Sequence, residues 1–353
     1  MIIQPRPFNL RKTITAGSVV LIALYFYYQR PPPLQFWKVS GEAWSSYSVK
    51  FTDTRMDQAA VVQLKAEIDA LLSRINAQMS TYQPDSEISR FNAHASTEPM
   101  PVSSEFADVV RRAIALCEET GGVFTPGLDR LINAWGFGHL GPRREPDATE
   151  RAEAMRHAGC DAVEVTTEGA LRKSDPGTAL NVNALVEGWA VDAVVSLLEQ
   201  RSVTNYFVEI GGEVFARGQS EKMRPWRVGI DRPVDGAQPG EAYDLIVALD
   251  RHGLATSGNY RKFTLDAEGR KISHILDPRS GEPTTSRLAS VTVIAPDTAT
   301  ADALATALFV MGTEEGLVFL AGRPGIEAAF IEHNDQGGFS TRFSPGFEAL
   351  LVR

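Results

Sequence analysis

Only two cysteines, Cys117 and Cys160, occur in the 353 residues. Two are too few for a disulfide scaffold or for a zinc site of clustered thiolates. Cys117 lies in the apolar-periodic run 109–117 and reads as a buried thiol. A bridge to Cys160 would suit an oxidising compartment, although nothing in the sequence demands one. Positive charge is also short: 35 Lys and Arg against 44 Asp and Glu leave a formal net charge of −9. So acidic a chain lacks the footprint of a nucleic-acid binder, and no nucleic-acid partner is expected. Neither G-x-x-x-x-G-K-[ST] nor H-E-x-x-H occurs, and there is no internal repeat. What remains, 43% hydrophobic and 22% charged residues, is the make-up of a globular protein with a sizeable core.

The N-terminus is compositionally distinct. Arg6, Arg11 and Lys12 precede an apolar stretch over 14–28, and no acid appears before Glu42. The stretch closes on Tyr25, Tyr27 and Tyr28 and is followed by Pro31, Pro32 and Pro33. Positive charge before an apolar run, with aromatics at its end, predicts a membrane anchor with its N-terminus in the cytoplasm. A cleaved signal peptide is the rival reading, because the apolar run is short for a span. Residues 1–30 are thus expected as anchor or signal segment, 31–40 as a Pro-rich linker, and 41–353 as one domain.

Within that domain, 41–51 alternates and predicts a strand. Apolar residues at helical spacing predict helices over 58–78, 104–120, 150–158, 184–199 and 301–310, the last ending at Gly312. Short strands are expected at 162–165, 170–173, 206–210, 213–218, 226–230, 245–249, 253–256, 261–265 and 289–295. Strands and helices intermingle without strict βαβ alternation, which predicts an α+β fold in a single domain.

Several segments carry candidate chemistry. Gly136 to Gly141 fits G-x-G-x-x-G, but that fingerprint needs a strand before it and a helix after it. Here 131–135 looks like a helix end and Pro142 follows, so a dinucleotide fold is not expected. Asp302 and Thr306 stand four apart on one helical face. Their oxygens suit Mg²⁺, which takes few carboxylates and completes its shell with phosphate; the plainer alternative is an Asp favouring a helix N-terminus and a satisfied core hydroxyl. Gly211-Gly212-Glu213 and Ala255-Thr256-Ser257-Gly258 allow close backbone approach and N–H cradling of a pyrophosphate, or form simple turns. In 273–281 His274, Asp277 and Arg279 share a turn-rich segment, where His274 could move a proton beside a phosphate.

Taken in order, Met79 to Tyr82, Ser86 to Asn92, Leu131 to Gly138, Val186 to Asp192, Val208 to Glu213, Ala255 to Tyr260, Ser273 to Gly281 and Ala301 to Thr306 resemble the ApbE family of FAD:protein FMN transferases. The resemblance runs from about Gly41 to Leu320 and implies a single α+β (T-fold-like) domain with FAD in a cleft. By position it implies FAD contacts from Trp44, Tyr82, Val123, Phe124, Thr125, Asn181, Glu187 and Ile275. It implies Mg²⁺ held by the Ala184 carbonyl, Asp302 and Thr306, and a catalytic His274. The implied reaction is attack of an acceptor threonine hydroxyl on the FMN-side phosphorus, with AMP leaving. The implied acceptor is a flavoprotein subunit of a membrane or periplasmic electron-transfer system, with the enzyme on the bacterial inner membrane and its domain in the periplasm.

Three departures stand out. Trp44-Ser45-Ser46 replaces a Met-Gly-Thr-like step, and Thr125 and Asn181 stand where the family commonly has Asp. Losing two carboxylates keeps open two alternatives: a non-catalytic FAD carrier, or an FAD pyrophosphatase that passes FMN to water.

Overall fold

The computed structural model describes residues 35–140, 144–238, 240–260, 263–265 and 271–352. The expected anchor, the three prolines and Gly141 lie outside them. The chain opens with a hairpin, β1 (Gln35–Glu42) and β2 (Ser46–Asp53), paired from Gln35↔Asp53 to Glu42↔Ser46. Strand pairing therefore starts inside the expected linker, and the expected strand at 41–51 is instead a turn and a second strand. Alternation explains it: Trp37 and Val39 face the core while Phe36 and Lys38 do not, a period the preceding prolines obscure.

Helix α1 (Gln58–Met79) is capped by Asp57 and buries Val61, Leu64, Ile68, Leu72 and Ile75, the stripe expected of a helix lying on a core. Ser86 caps α2 (Glu87–Ala93), and Ser103 caps α3 (Ser104–Glu119). Two short helices follow, α4 (Asp129–Ala134) and α5 (Ala148–Met155). The latter begins two residues before the expected 150, at an Asp147–Glu150 capping box. Strands β3 (Val163–Val165) and β4 (Leu171–Lys173) pair, and α6 (Asn183–Gln200) leads into β5 (Asn205–Ile210) and β6 (Glu213–Arg217).

Then come β7 (Trp226–Asp231), β8 (Tyr243–Leu249), β9 (His252–Gly258), β10 (Phe263–Leu265) and β11 (Lys271–Ser273). After β12 (Leu276–Asp277), β13 (Glu282–Pro283) and β14 (Leu288–Ala295), α7 spans Thr298–Leu320. Gly312, at φ 78°, breaks that helix where the sequence ends it, but helical structure resumes beyond. The chain finishes with β15 (Glu327–His333) and β16 (Phe339–Phe343), which sequence patterning did not single out.

Eight strands form one antiparallel sheet in the order β1-β2-β5-β6-β9-β14-β15-β16. Its two faces carry separate cores because side chains alternate along each strand. Tyr206, Val208, Ile210, Val291, Val293 and Phe330 join the helices on one face. Phe207, Val214, Ile294 and Ile331 meet the β7–β8 hairpin and Phe347 on the other. The α+β expectation holds. Among the described residues, Thr298–Leu320 is the one helix long and apolar enough to cross a membrane, and it is a core helix of this domain.

Candidate active site

One end of the sheet gathers several of the expected residues. The β1–β2 turn, which carries Trp44, lies beside the β5–β6 turn, since Gly211 N–H donates to the Ser46 carbonyl at 3.1 Å. Gly211 and Gly212 have φ of 67° and 116°, a backbone that other residues resist. A Cβ on Gly211 would stand 2.6 Å from Oε2 of Glu187, so the Glu187 carboxylate lies directly over this turn.

Helices α6 and α7 meet at backbone distance. A Cβ on Gly188 would sit 2.4 Å from the Thr298 carbonyl oxygen, and one on Gly253 2.5 Å from the Thr298 Cα. This close approach lets Gly188 N–H donate to Asp302 Oδ2 at 3.0 Å. Asp302 is buried and is not a cap: Asp297 caps α7, so electrostatic support of the helix N-terminus does not explain Asp302. One turn on, Thr306 Oγ1 lies 3.0 Å from Ser257 Oγ on β9. Ala184, at the start of α6, has ψ 15°, which tips its carbonyl away from the helical direction.

Sequence reasoning passed over Glu213 as anything more than part of a glycine turn. It is buried, and burial followed by the charges of Asp302 and Glu187 and a hydrogen bond with Glu187 holds its carboxyl well above the usual range. The acids that meet here, Glu213, Asp302 and Glu187, disfavour one another's charge, an arrangement that a cation would relieve. Among the described residues no three His, Cys, Asp or Glu side chains form a metal cage of their own. A carboxylate, a hydroxyl and a carbonyl, with phosphate oxygens to complete the shell, fit Mg²⁺ better than a metal needing a full set of protein ligands.

The segment 180–183 leads into α6 and is held from two sides. Asn92 binds both backbone groups of Leu180, accepting from its N–H at 2.7 Å and donating to its carbonyl at 2.8 Å. Lys173 donates to the Asn92 carbonyl at 3.1 Å, and burial lowers its pKa to about 8. Asn181 N–H donates to the Pro126 carbonyl at 2.7 Å, and its side-chain amide donates to Asp129 at 3.2 Å. Asp129, also missed in the sequence, is a buried carboxylate whose pKa burial raises against the opposing pull of Asn181, His139 and Asn133.

Val123, Phe124 and Thr125 are all buried. The Thr125 hydroxyl donates to the Ala158 carbonyl at 2.6 Å and accepts from Gly127 N–H at 3.2 Å. Two residues beyond Ala158, Cys160 is bridged to Cys117 at the end of α3; Cys117 is buried as expected, but as a half-cystine and not a thiol. The bridge closes because chain reversal at Gly121 and Gly122 returns the backbone past α3, with Gly122 N–H on the Cys117 carbonyl at 2.8 Å.

Tyr82 is 62% exposed and meets His139 edge-on, ring centroids 5.9 Å apart. His274 is half-buried between β11 and β12, next to buried Ile275, whose carbonyl accepts from Thr284 N–H at 2.9 Å. The indole N–H of Trp44 is buried with no acceptor among the described residues. A helix, α4, and not a strand, precedes Gly136, which rules out the dinucleotide fingerprint. A separate cavity of about 960 Å³ opens at the N-terminal end of α7, lined by residues including Arg112, Trp189, Asp192 and Asp297; none of the expected residues lines it.

A family profile described as the ApbE family matches residues 45–330, most of the chain. The chain belongs to the ApbE family. Similar proteins include one from Vibrio cholerae, 39% identical over 294 residues, covering 82% of this chain and 85% of that protein. Another, from Haemophilus influenzae, is 35% identical over 311 residues, covering 87% and 88%. Both are named FAD:protein FMN transferase. The solved flavin transferase ApbE of Vibrio cholerae superposes with a TM-score of 0.80 at 34% identity, covering 90% of this chain and all of that one. The flavinyl transferase ApbE of Pseudomonas stutzeri, in its apo form, gives 0.80 at 35%, covering 90% and 97%. The ApbE fold is therefore this chain's fold, and the chain is a transferase.

Proposed function

We propose that this ApbE-family chain is a Mg²⁺-dependent FAD:protein FMN transferase that attaches FMN through a phosphoester to a threonine of an acceptor flavoprotein and releases AMP. The observation carrying this reading is the meeting of Asp302, Gly188 and Glu187 with the Gly211-Gly212 turn at one end of the sheet. Pyrophosphate cleavage asks for positioning and charge neutralisation; this corner offers positioning, and its carboxylates suit a cation that would neutralise charge. Mg²⁺ would be held by Asp302, Thr306 and the Ala184 carbonyl, and would supply the charge neutralisation of the phosphate oxygens.

The remaining roles belong to the protein. Tyr82, exposed and flat, offers a stacking face for a ring of FAD. Trp44 contributes an unpartnered N–H, and Glu187 an acceptor for ring or ribose donors. Val123, Phe124 and Ile275 supply apolar wall. Thr125, whose hydroxyl is engaged with Ala158 and Gly127, acts through its backbone, and Asn181, whose side chain is engaged with Asp129 and Asn183, bounds the cleft through the backbone it holds. His274 is the residue to move the proton of the attacking hydroxyl.

The disulfide supports a location in an oxidising compartment, in keeping with an inner-membrane enzyme whose domain faces the periplasm. Its partner there would be a flavoprotein of a membrane or periplasmic electron-transfer system. The reading is tested by incubating the protein with FAD, Mg²⁺ and a threonine-bearing acceptor domain. Mass spectrometry should show the acceptor gaining FMN at one threonine, with EDTA abolishing the gain. An acceptor that stays unmodified while FAD is held intact favours the carrier instead.

A further inference from the structure

Asp129 sits in an unusual place for an acid. It is 5% exposed, and among the described residues two neutral amides donate to its carboxylate, Asn133 at 2.9 Å and Asn181 at 3.2 Å. Burying a carboxylate is costly, and here burial outweighs the pull of Asn181, His139, Asn133 and Arg130, so an acid at this place asks for a reason. A carboxylate can only accept hydrogen bonds, so both amides must turn their NH₂ groups toward it. That fixes where their oxygens point. The Asn181 oxygen accepts from Asn183 N–H at 3.1 Å, the first residue of α6. The Asn133 oxygen accepts from Leu140 N–H at 3.0 Å and lies so close to Gly138 that a Cβ there would stand 2.2 Å away. One end of this relay sets the start of α6, which carries Ala184 and Glu187. The other holds the 136–140 loop, which carries His139 against Tyr82.

We propose that Asp129 is a positioning residue that fixes both walls of the FAD cleft by dictating the orientation of Asn181 and Asn133. The inference rests on the FAD reading above and adds a residue outside the expected contacts. It also accounts for Asn181 itself: the carboxylate expected at that position has its counterpart across the hydrogen bond, on Asp129. Exchanging the pair should therefore be tolerated where either single change is not. In Asp129→Asn, two NH₂ groups face each other and one bond is lost. In Asn181→Asp, two carboxylates face each other. In the double variant Asp129→Asn/Asn181→Asp, the new amide donates to the new carboxylate, which still accepts from Asn183 N–H, and Asn133 keeps an acceptor.

The test is FAD binding followed by flavin fluorescence, with the melting temperature of each protein measured without flavin. Each single variant should weaken FAD binding by about tenfold, the effect of one buried hydrogen bond lost, and the double variant should return to within about threefold of the native chain. If a single variant does not fold, the double variant must still fold and bind. Unchanged binding by Asp129→Asn overturns the proposal, as does a double variant no better than the singles. A native chain that binds no FAD would instead sink the FAD reading, while low single and restored double melting temperatures would still report the relay.

Discussion

The Asp302 carboxylate accepts the backbone N–H of Gly188 at 3.0 Å, joining the two helices that frame the candidate active site. Its second neighbour in charge is Glu213, whose carboxyl is pushed up partly by Asp302 itself. An acid placed to strain another acid in a buried corner is better suited to receiving a cation than to holding the fold together.

Replacing Asp302 with Asn separates those roles, because Asn keeps an acceptor for Gly188 N–H but loses the charge. Acceptor labelling at fixed Mg²⁺ should fall on the order of a hundredfold or more. The melting temperature without metal should hold or rise, since Glu213 is relieved of a like charge. Full labelling by Asp302→Asn at unchanged Mg²⁺ concentration removes Asp302 from the metal site.

The Cys117–Cys160 bridge closes a loop of sequence separation 43. By loop entropy a bridge of that span stabilises the native chain by about 4 kcal/mol, within a usual range of about 2–5 kcal/mol. Cys117→Ser/Cys160→Ser should melt markedly lower than the native chain, and a dithiol reductant should lower the native chain to match. Because the bridge anchors the 122–125 segment beside Ala158, FAD binding should weaken along with stability. Equal melting curves with and without reductant would show that the bridge contributes little.

Much of this was legible beforehand. The helix expected over 58–78 is Gln58–Met79, and the helix expected over 301–310, holding Asp302 and Thr306, lies within Thr298–Leu320, its break at Gly312. Strong period-3.6 patterns survive tertiary context because they report burial directly. Strand β1 was hidden because three prolines preceding it read as linker, and β15 and β16 lie beyond the segments that carried the resemblance. Glu213 and Asp129 were illegible, and the disulfide no more than one option, for another reason. Each acquires its meaning from a partner distant in sequence: Asp302 for Glu213, Asn181 for Asp129, Cys160 for Cys117. Thr125 shows the same limit, since its identity gave no hint that its hydroxyl serves Ala158.

Asp192 supplies a pH dependence. Its two oxygens accept from the N–H groups of Thr298 and Ala299, both at 2.9 Å, at the start of α7. Burial raises its pKa from 3.8 to about 6, with the Asp297 charge acting the same way against the two N–H groups. A folded-state pKa above the unfolded one means that the protonated form favours folding. This contribution is complete below the unfolded pKa of 3.8 and is lost as pH rises through about 6. Asp192→Asn removes that dependence, whatever constant cost it adds. The melting temperature of the variant relative to the native chain should therefore rise from about pH 4 to about pH 7, by the equivalent of at most about 3 kcal/mol. A gap that is flat across that window would place Asp192 in a more solvated setting.

The most direct test of transferase chemistry is the ratio of AMP released to FMN attached, measured on one reaction mixture of the protein, FAD, Mg²⁺ and acceptor. The account predicts one AMP for each acceptor threonine labelled, and neither product once Mg²⁺ is removed. AMP formed in excess of labelled acceptor, with free FMN accumulating, would contradict it and assign the site to hydrolysis of FAD.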